Sequence, residues 1–224
     1  SPLACTPPQL LLEEETESMK DYEAMVSRTV KTFPPAYASH PVVRRCAPRV
    51  VTPLAFYLDG IGYTTLDSIL GFFVINMVTS KRHLVCTIPK AWYCKCGCGG
   101  WCTLHPIYVW LGSCCSALAR GEHMRRRHDQ SHFRPEEVVL ESRAGKRCVL
   151  AAVIWLKADL AEFGTPLGFP TTASANHPCL LCHVKKDSLV QLLGWDAVAV
   201  PFAAKSCQEY IEACLRCEKV REIT

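Results

Sequence analysis

Four cysteines, Cys94, Cys96, Cys98 and Cys102, fall within nine residues in the pattern C-x-C-x-C-x3-C, with Gly97, Gly99 and Gly100 between them. Thiolates suit zinc, which they hold tetrahedrally at about 2.3 Å. Glycines let a tight backbone wrap around a small ion. Alternating residues of a strand point to opposite faces, so these sulfurs can converge only in a loop. The spacing predicts a Zn2+ site; the competing reading is free thiols in a glycine-rich turn. A second pair, Cys179 and Cys182, has knuckle spacing and is flanked by His177 and His183. It could complete a four-ligand metal site with two of the earlier cysteines, or with Cys214 and Cys217. Those last two also fall on one face of an expected helix with Cys207 and Ile211, where cysteine packs as a small hydrophobe. Cys114 and Cys115 read as core, and His105 as structural. No spacing pairs a cysteine with a histidine base as nucleophilic catalysis requires.

Two aspartates carry a different chemistry. Asp59 closes the apolar, β-prone run Val50–Leu58, and Asp159 follows the uninterrupted apolar run Cys148–Leu156, 100 residues later. If the two strands are parallel neighbours, both carboxylates reach the same end of one sheet, where open α/β sheets place their sites. Paired carboxylates there could hold Mg2+ or Mn2+, which align the attacking water and leaving oxygen of a phosphodiester. The plainer reading is a turn at Asp59-Gly60 and a helix cap at Asp159. Asp67 and Glu162 are further ligand candidates or surface charges.

A third group is cationic. Arg120, Arg125, Arg126, Arg127 and Arg134 stand against only Glu122 and Asp129 between residues 120 and 134, among His123, His128 and His132. Arginine forks bind two phosphate oxygens at once, so DNA is the expected partner, with a solvated surface loop as the alternative. The whole chain carries +4 at neutral pH, which permits a polyanionic partner without demanding one.

These residues need elements to position them. Met19, Tyr22, Val26, Val30 and Phe33 recur at helical steps, with Glu13, Glu14 and Glu15 at the helix's N-terminal end and Pro34-Pro35 closing it. Three strands follow, over Val50–Leu58, Ile69–Thr79 and Arg82–Ile88, as an antiparallel meander. Leu104–Ala119 reads as a helix with Ile107, Trp110, Leu111, Cys114, Cys115 and Leu118 on its apolar face. Residues 120–147 read as a surface loop with a short helix near Pro135-Glu136-Glu137. Cys148–Leu156 reads as a strand buried on both faces. A short helix over 161–163 and a last helix over 206–222 complete the chain. The order fits an α/β fold: a ribonuclease-H-like mixed sheet with flanking helices and a cysteine-rich zinc-binding insert at 94–102. The division expected is a helical extension over 1–48, the core over 49–190 and a C-terminal helix over 191–224.

Composition sets outer limits. With 224 residues, 49% of them hydrophobic and 21% charged, the chain is globular rather than disordered. Its most apolar run, Ile69–Val78, is far shorter than the roughly 20 residues a membrane helix needs, so no membrane is expected, nor any small-molecule cofactor. The start lacks a basic secretory signal. Fifteen cysteines then suggest metal ligands in a reducing compartment, and the RRRHD segment suggests the nucleus.

The stretches YLDGIGYTTLDSILGFFVINMVTSKRHLVC, CKCGCGGWCTLHP, SALARGEHMRRRHD, KADLAEFGTPLGFP, PCLLC and YIEACLRCE together resemble a transposon-derived protein family from protist genomes. That family is similar to CACTA-type cut-and-paste transposases. The resemblance spans roughly residues 50–222. It implies a ribonuclease-H-like domain that cuts and joins DNA at an Asp-Asp-Glu metal site, with Asp59 matching the first acid and Asp159 the second. The third acid has no clear match; Glu209, Glu212, Glu218 and Glu222 are candidates. Leu160 stands where the family usually has tryptophan. The alternatives are a non-catalytic, zinc-stabilised nucleic-acid- or protein-binding module, or a decayed transposon remnant.

Overall fold

The computed structural model describes residues 5–16, 18–62, 67–98 and 100–158, with isolated positions 164, 183, 206, 208, 209 and 212. The chain divides into two units, Ser1–Asp159 and Leu160–Thr224. The helices expected over 161–163 and 206–222 lie outside the described residues, apart from those isolated positions.

Strands β1 (Thr52–Gly62), β2 (Ser68–Asn76), β3 (Arg82–Pro89) and β4 (Ala151–Lys157) form a mixed sheet in the order β3-β2-β1-β4. β1 pairs antiparallel with β2, β2 antiparallel with β3, and β4 parallel with β1. The β2–β3 turn is built by Asn76, whose Oδ1 accepts the amides of Val78 at 3.0 Å and Thr79 at 3.4 Å. A parallel partner for β1 demands a long crossover. That connection contains the helices that follow β3.

Six α-helices are described: α1 (Pro8–Glu13), α2 (Met19–Thr29), α3 (Pro35–Ser39), α4 (Pro41–Cys46), α5 (Trp101–Leu118) and α6 (Val138–Arg143). α5 buries Leu104, Ile107, Leu111, Cys114, Ala117 and Leu118, the 3.6-residue stripe expected, with Trp110 and Cys115 half-buried at its margin. It packs on the sheet face carrying Leu58, Leu70 and Phe72, where the Tyr108 ring meets Phe72 edge-on at 5.9 Å. Each fully buried leucine contributes about 1.5–3 kcal/mol through apolar burial. No described helix is long and apolar enough to cross a membrane.

Several expectations need correcting. Asp59 does not close β1: the strand continues to Gly62, pairing Asp59 with Gly71 and Gly62 with Ser68. Asp59-Gly60 imitates a turn, but ladder bonds to β2 hold it extended. β4 begins at Ala151 and is not buried on both faces, since Leu156 and Lys157 are exposed. Pro8 opens α1, because its missing N–H costs nothing in a first turn. Glu13, Glu14 and Glu15 do not cap α2. Ser18 does, accepting the Asp21 amide at 3.4 Å. The short helix in the 120–147 loop falls at α6, just beyond Pro135-Glu136-Glu137.

The displaced Glu15 has another task. Its side chain is 2% exposed and pairs with His83 of β3. Its Oε2 accepts from Asn76 Nδ2 at 3.0 Å and Thr79 Oγ1 at 2.6 Å. Asn76 also donates to Tyr22 Oη at 2.9 Å. A buried carboxylate survives only when its lone pairs are met in this way. The network fastens the α1–α2 connection to the β2–β3 turn. Nearby, Gln9 Nε2 donates to the Cys114 carbonyl at 2.9 Å and ties α1 to α5.

Candidate metal centre and its surroundings

The cysteine loop is held from both sides. After β3, a 3-10 turn over Lys90–Trp92 carries the chain off the sheet. Thr103, in the first turn of α5, bridges the loop: its Oγ1 accepts the Cys94 amide at 2.9 Å and donates to the Trp92 carbonyl at 3.4 Å. Gly100 precedes α5 with φ +90°, and a Cβ there would lie 2.5 Å from Tyr93 Cδ2. Both conformation and space therefore require glycine.

This frame brings the sulfurs of Cys94, Cys96, Cys98 and Cys102 within 4.8 Å of one another. Cys96 Sγ and Cys102 Sγ are 3.8 Å apart. A tetrahedron with bonds of about 2.3 Å has sulfur–sulfur edges of about 3.8 Å, whereas a disulfide requires about 2.05 Å. The set fits a four-thiolate centre and could hold an ion such as Zn2+. Cys96 and Cys102 are exposed and Cys94 and Cys98 half-buried, so an ion can enter from solvent.

The thiols are electrostatically coupled. The Cys102 amide donates to Cys98 Sγ at 3.4 Å. That bond, then the Cys96 thiol, lowers the Cys98 pKa to about 6. Cys102 is pushed up to about 12, because hydrogen bonds to Cys98 and then Cys96 hold its proton, with the charge on those two thiols adding to the effect. A divalent cation removes the conflict, since a coordinated thiol loses its proton outright.

Asp59 is half-buried on the sheet face opposite α5, the face it shares with Ala55 and Tyr57 by strand alternation. Its partner must be small: a Cβ on Gly71 would lie 2.7 Å from Phe73 Cε2 and 3.6 Å from the Asp59 carbonyl oxygen. β1 and β4 pair as far as Tyr57 and Lys157, two residues before Asp59. Asp159, His177, Cys179, Cys182, Cys207, Cys214 and Cys217 lie outside the described residues. Of the glutamates considered as third acid, Glu209 accepts the Ser206 amide at 2.6 Å and Ser206 Oγ at 2.9 Å, and lies 2.8 Å from His183 Nε2. That is the pattern of a capping pair.

The arginines divide. Arg120, Arg125, Arg126 and Arg127 line one cleft of about 750 Å³ with His123 and His128. Arg134 lines an adjoining cleft that shares Arg127 and His128 with the first, and lies 3.9 Å from Glu136. In the first cleft, Arg125 pairs with Glu122 at 3.4 Å and Arg127 with Glu137 at 3.4 Å. Arg126 donates to the Gln130 carbonyl at 3.4 Å. Among the described residues Arg120 and Arg126 form no ion pair. The cleft flanks the beginning of β1: the Gly121 carbonyl accepts the Cys148 amide at 3.0 Å, and the Leu150 carbonyl accepts the Thr52 amide at 2.8 Å. At about 3.3 Å per strand residue, Asp59 lies roughly 23 Å further along β1.

Sequence reasoning missed the two cationic partners of Glu13. His123 Nε2 lies 2.7 Å from Glu13 Oε1, and Arg143 lies 3.7 Å from the same carboxylate. Neither pair leaves a local spacing to find, since the partners are 110 and 130 residues apart. Comparison with protein-family models, with curated proteins and with solved structures returns no match.

Proposed function

We propose that the chain is a transposase-like DNA-binding domain of ribonuclease-H-like architecture. In this reading zinc at Cys94, Cys96, Cys98 and Cys102 stabilises the fold, and Asp59 and Asp159 serve phosphodiester cleavage and strand transfer. One observation carries it. After a helical crossover, β4 returns beside β1 and parallel to it, in the order β3-β2-β1-β4. Parallel neighbours send their C-terminal ends to one edge, the usual position of α/β sites. Asp59 belongs to that end of β1, and Asp159 follows β4 by two residues in the sequence. Mg2+ or Mn2+ held there would supply charge neutralisation and alignment of the reacting oxygens. The chain's own part is to hold the DNA. Arg120 and Arg126 are free of carboxylates among the described residues, so both can meet phosphate.

The test is nicking of supercoiled plasmid with Mg2+ or Mn2+. Wild-type protein is expected to nick, and Asp59→Asn and Asp159→Asn each to lower the rate at least a hundredfold. Equal rates in all three proteins overturn the assigned acids.

A second reading is a non-catalytic, zinc-stabilised binding module. It is favoured by the separation of the cationic cleft and Asp59 to opposite ends of β1. DNA retention without nicking by any of the proteins would select it.

A further inference from the structure

We propose that Cys5 and Cys86 form a peroxide-responsive thiol pair: a hydroperoxide oxidises Cys5, and Cys86 resolves it to an intramolecular disulfide. The proposal is independent of the cysteine loop and of the nuclease reading. The two sulfurs are 2.9 Å apart, and closing to a bond requires a further approach of only about 0.9 Å. Backbone geometry fixes this approach. β3 has a bulge at Val85, where the β2 register passes from Phe72↔Cys86 to Phe73↔Leu84. The Val85 carbonyl accepts the Thr6 amide at 2.9 Å. The residues next to both cysteines are thus bonded to each other.

The two thiols differ in access. Cys86 is 1% exposed, so Cys5 is the thiol that a reagent in solvent meets first. Cys5 is half-buried and lines a cleft of about 360 Å³ together with Arg127, His128, Arg134, Trp110 and Phe133. Reactive thiols characteristically occupy cationic, partly open surroundings beside a resolving cysteine. The shared hydrogen bond lowers the Cys5 pKa and, together with burial, raises that of Cys86. Cys5 is therefore the attacking sulfur, and Cys86 keeps its proton until the second step.

The chemistry balances. The Cys5 thiolate attacks one oxygen of hydrogen peroxide or an alkyl hydroperoxide; an S–O bond forms, the O–O bond breaks, and hydroxide or alkoxide leaves to take up a proton. The Cys86 sulfur then attacks the Cys5 sulfenic acid, forming S–S, breaking S–O and releasing water. Two thiols lose two electrons and two protons, and the peroxide is reduced to water, or to water and an alcohol.

Trypsin isolates each cysteine, in peptides 1–20 and 83–90. Full-length protein treated with one equivalent of hydrogen peroxide, alkylated and digested should yield these two peptides as a linked species that dithiothreitol dissolves. Cys5→Ser should abolish the link. Cys86→Ser should leave Cys5 as a sulfenic acid captured by dimedone, with circular dichroism confirming that each variant folds. Recovery of both peptides singly alkylated, or of Cys5 joined to another cysteine in folded wild-type protein, overturns the proposal.

Discussion

Cys98 is the residue on which the candidate metal centre turns. Its sulfur accepts the Cys102 amide and is already a thiolate at pH 7, with a pKa lowered to about 6, whereas Cys102 is held up at about 12. Zinc uptake by the four cysteines at pH 7 should therefore release fewer than four protons per ion, because one has already left. Binding should tighten as pH rises from 6 to 8, since protons compete with the metal for the remaining thiols. Calorimetry in buffers of different ionisation enthalpy reads the proton count directly; four or more protons per ion would contradict the Cys98 assignment. Cys98→Ser and Cys102→Ser should each reduce zinc content from one ion per chain to nearly none in elemental analysis. Retention of a full equivalent in both variants would exclude the loop as the site.

At the scale of elements, Glu15 joins the α1–α2 connection to the β2–β3 turn. Glu15→Ala removes the carboxylate that Asn76 Nδ2, Thr79 Oγ1 and His83 all face, and should destabilise the fold by about 3 kcal/mol. Urea unfolding measures this, and a loss below 1 kcal/mol would mean that water replaces the network. Gly100→Ala should also destabilise the chain, through its positive φ and the Tyr93 ring, and should weaken zinc binding in parallel. The network also marks how far a sequence can be read. The α5 stripe and the β4 run are legible because periodicity and apolar length are local signals. Glu15 is illegible because its partner His83 is 68 residues away and three consecutive glutamates look like ordinary helix-start charges. The extent of β1 past Asp59 is hidden for a related reason: Asp-Gly is turn chemistry by itself, and only pairing with β2 overrides it. The cysteine loop is legible because its ligands are adjacent, whereas the meeting of Cys5 and Cys86 depends on tertiary folding.

For the whole molecule, the division of the arginines makes a graded prediction. Each phosphate contact contributes about 0.9 to the slope of log affinity against log salt on duplex DNA. Arg126→Ala and Arg120→Ala should each reduce that slope by about that amount. Arg134→Ala should change it less, because Glu136 lies 3.9 Å from Arg134 and offsets its charge. Fluorescence anisotropy across a salt series distinguishes them, and equal effects of all three substitutions would indicate diffuse attraction instead of a defined track.

The interior position of Asp59 in β1 has a directional consequence. A side chain at a strand's tip can be approached over the rim, but one flanked by paired neighbours projects perpendicular to the pleat. Asp59 projects to the side that Tyr57 and Phe73 occupy, with the Arg82 guanidinium 5.4 Å and 4.9 Å from their ring centres. Anything that reaches this carboxylate must arrive past an aromatic floor bearing a cation, from the hemisphere that α5 leaves untouched.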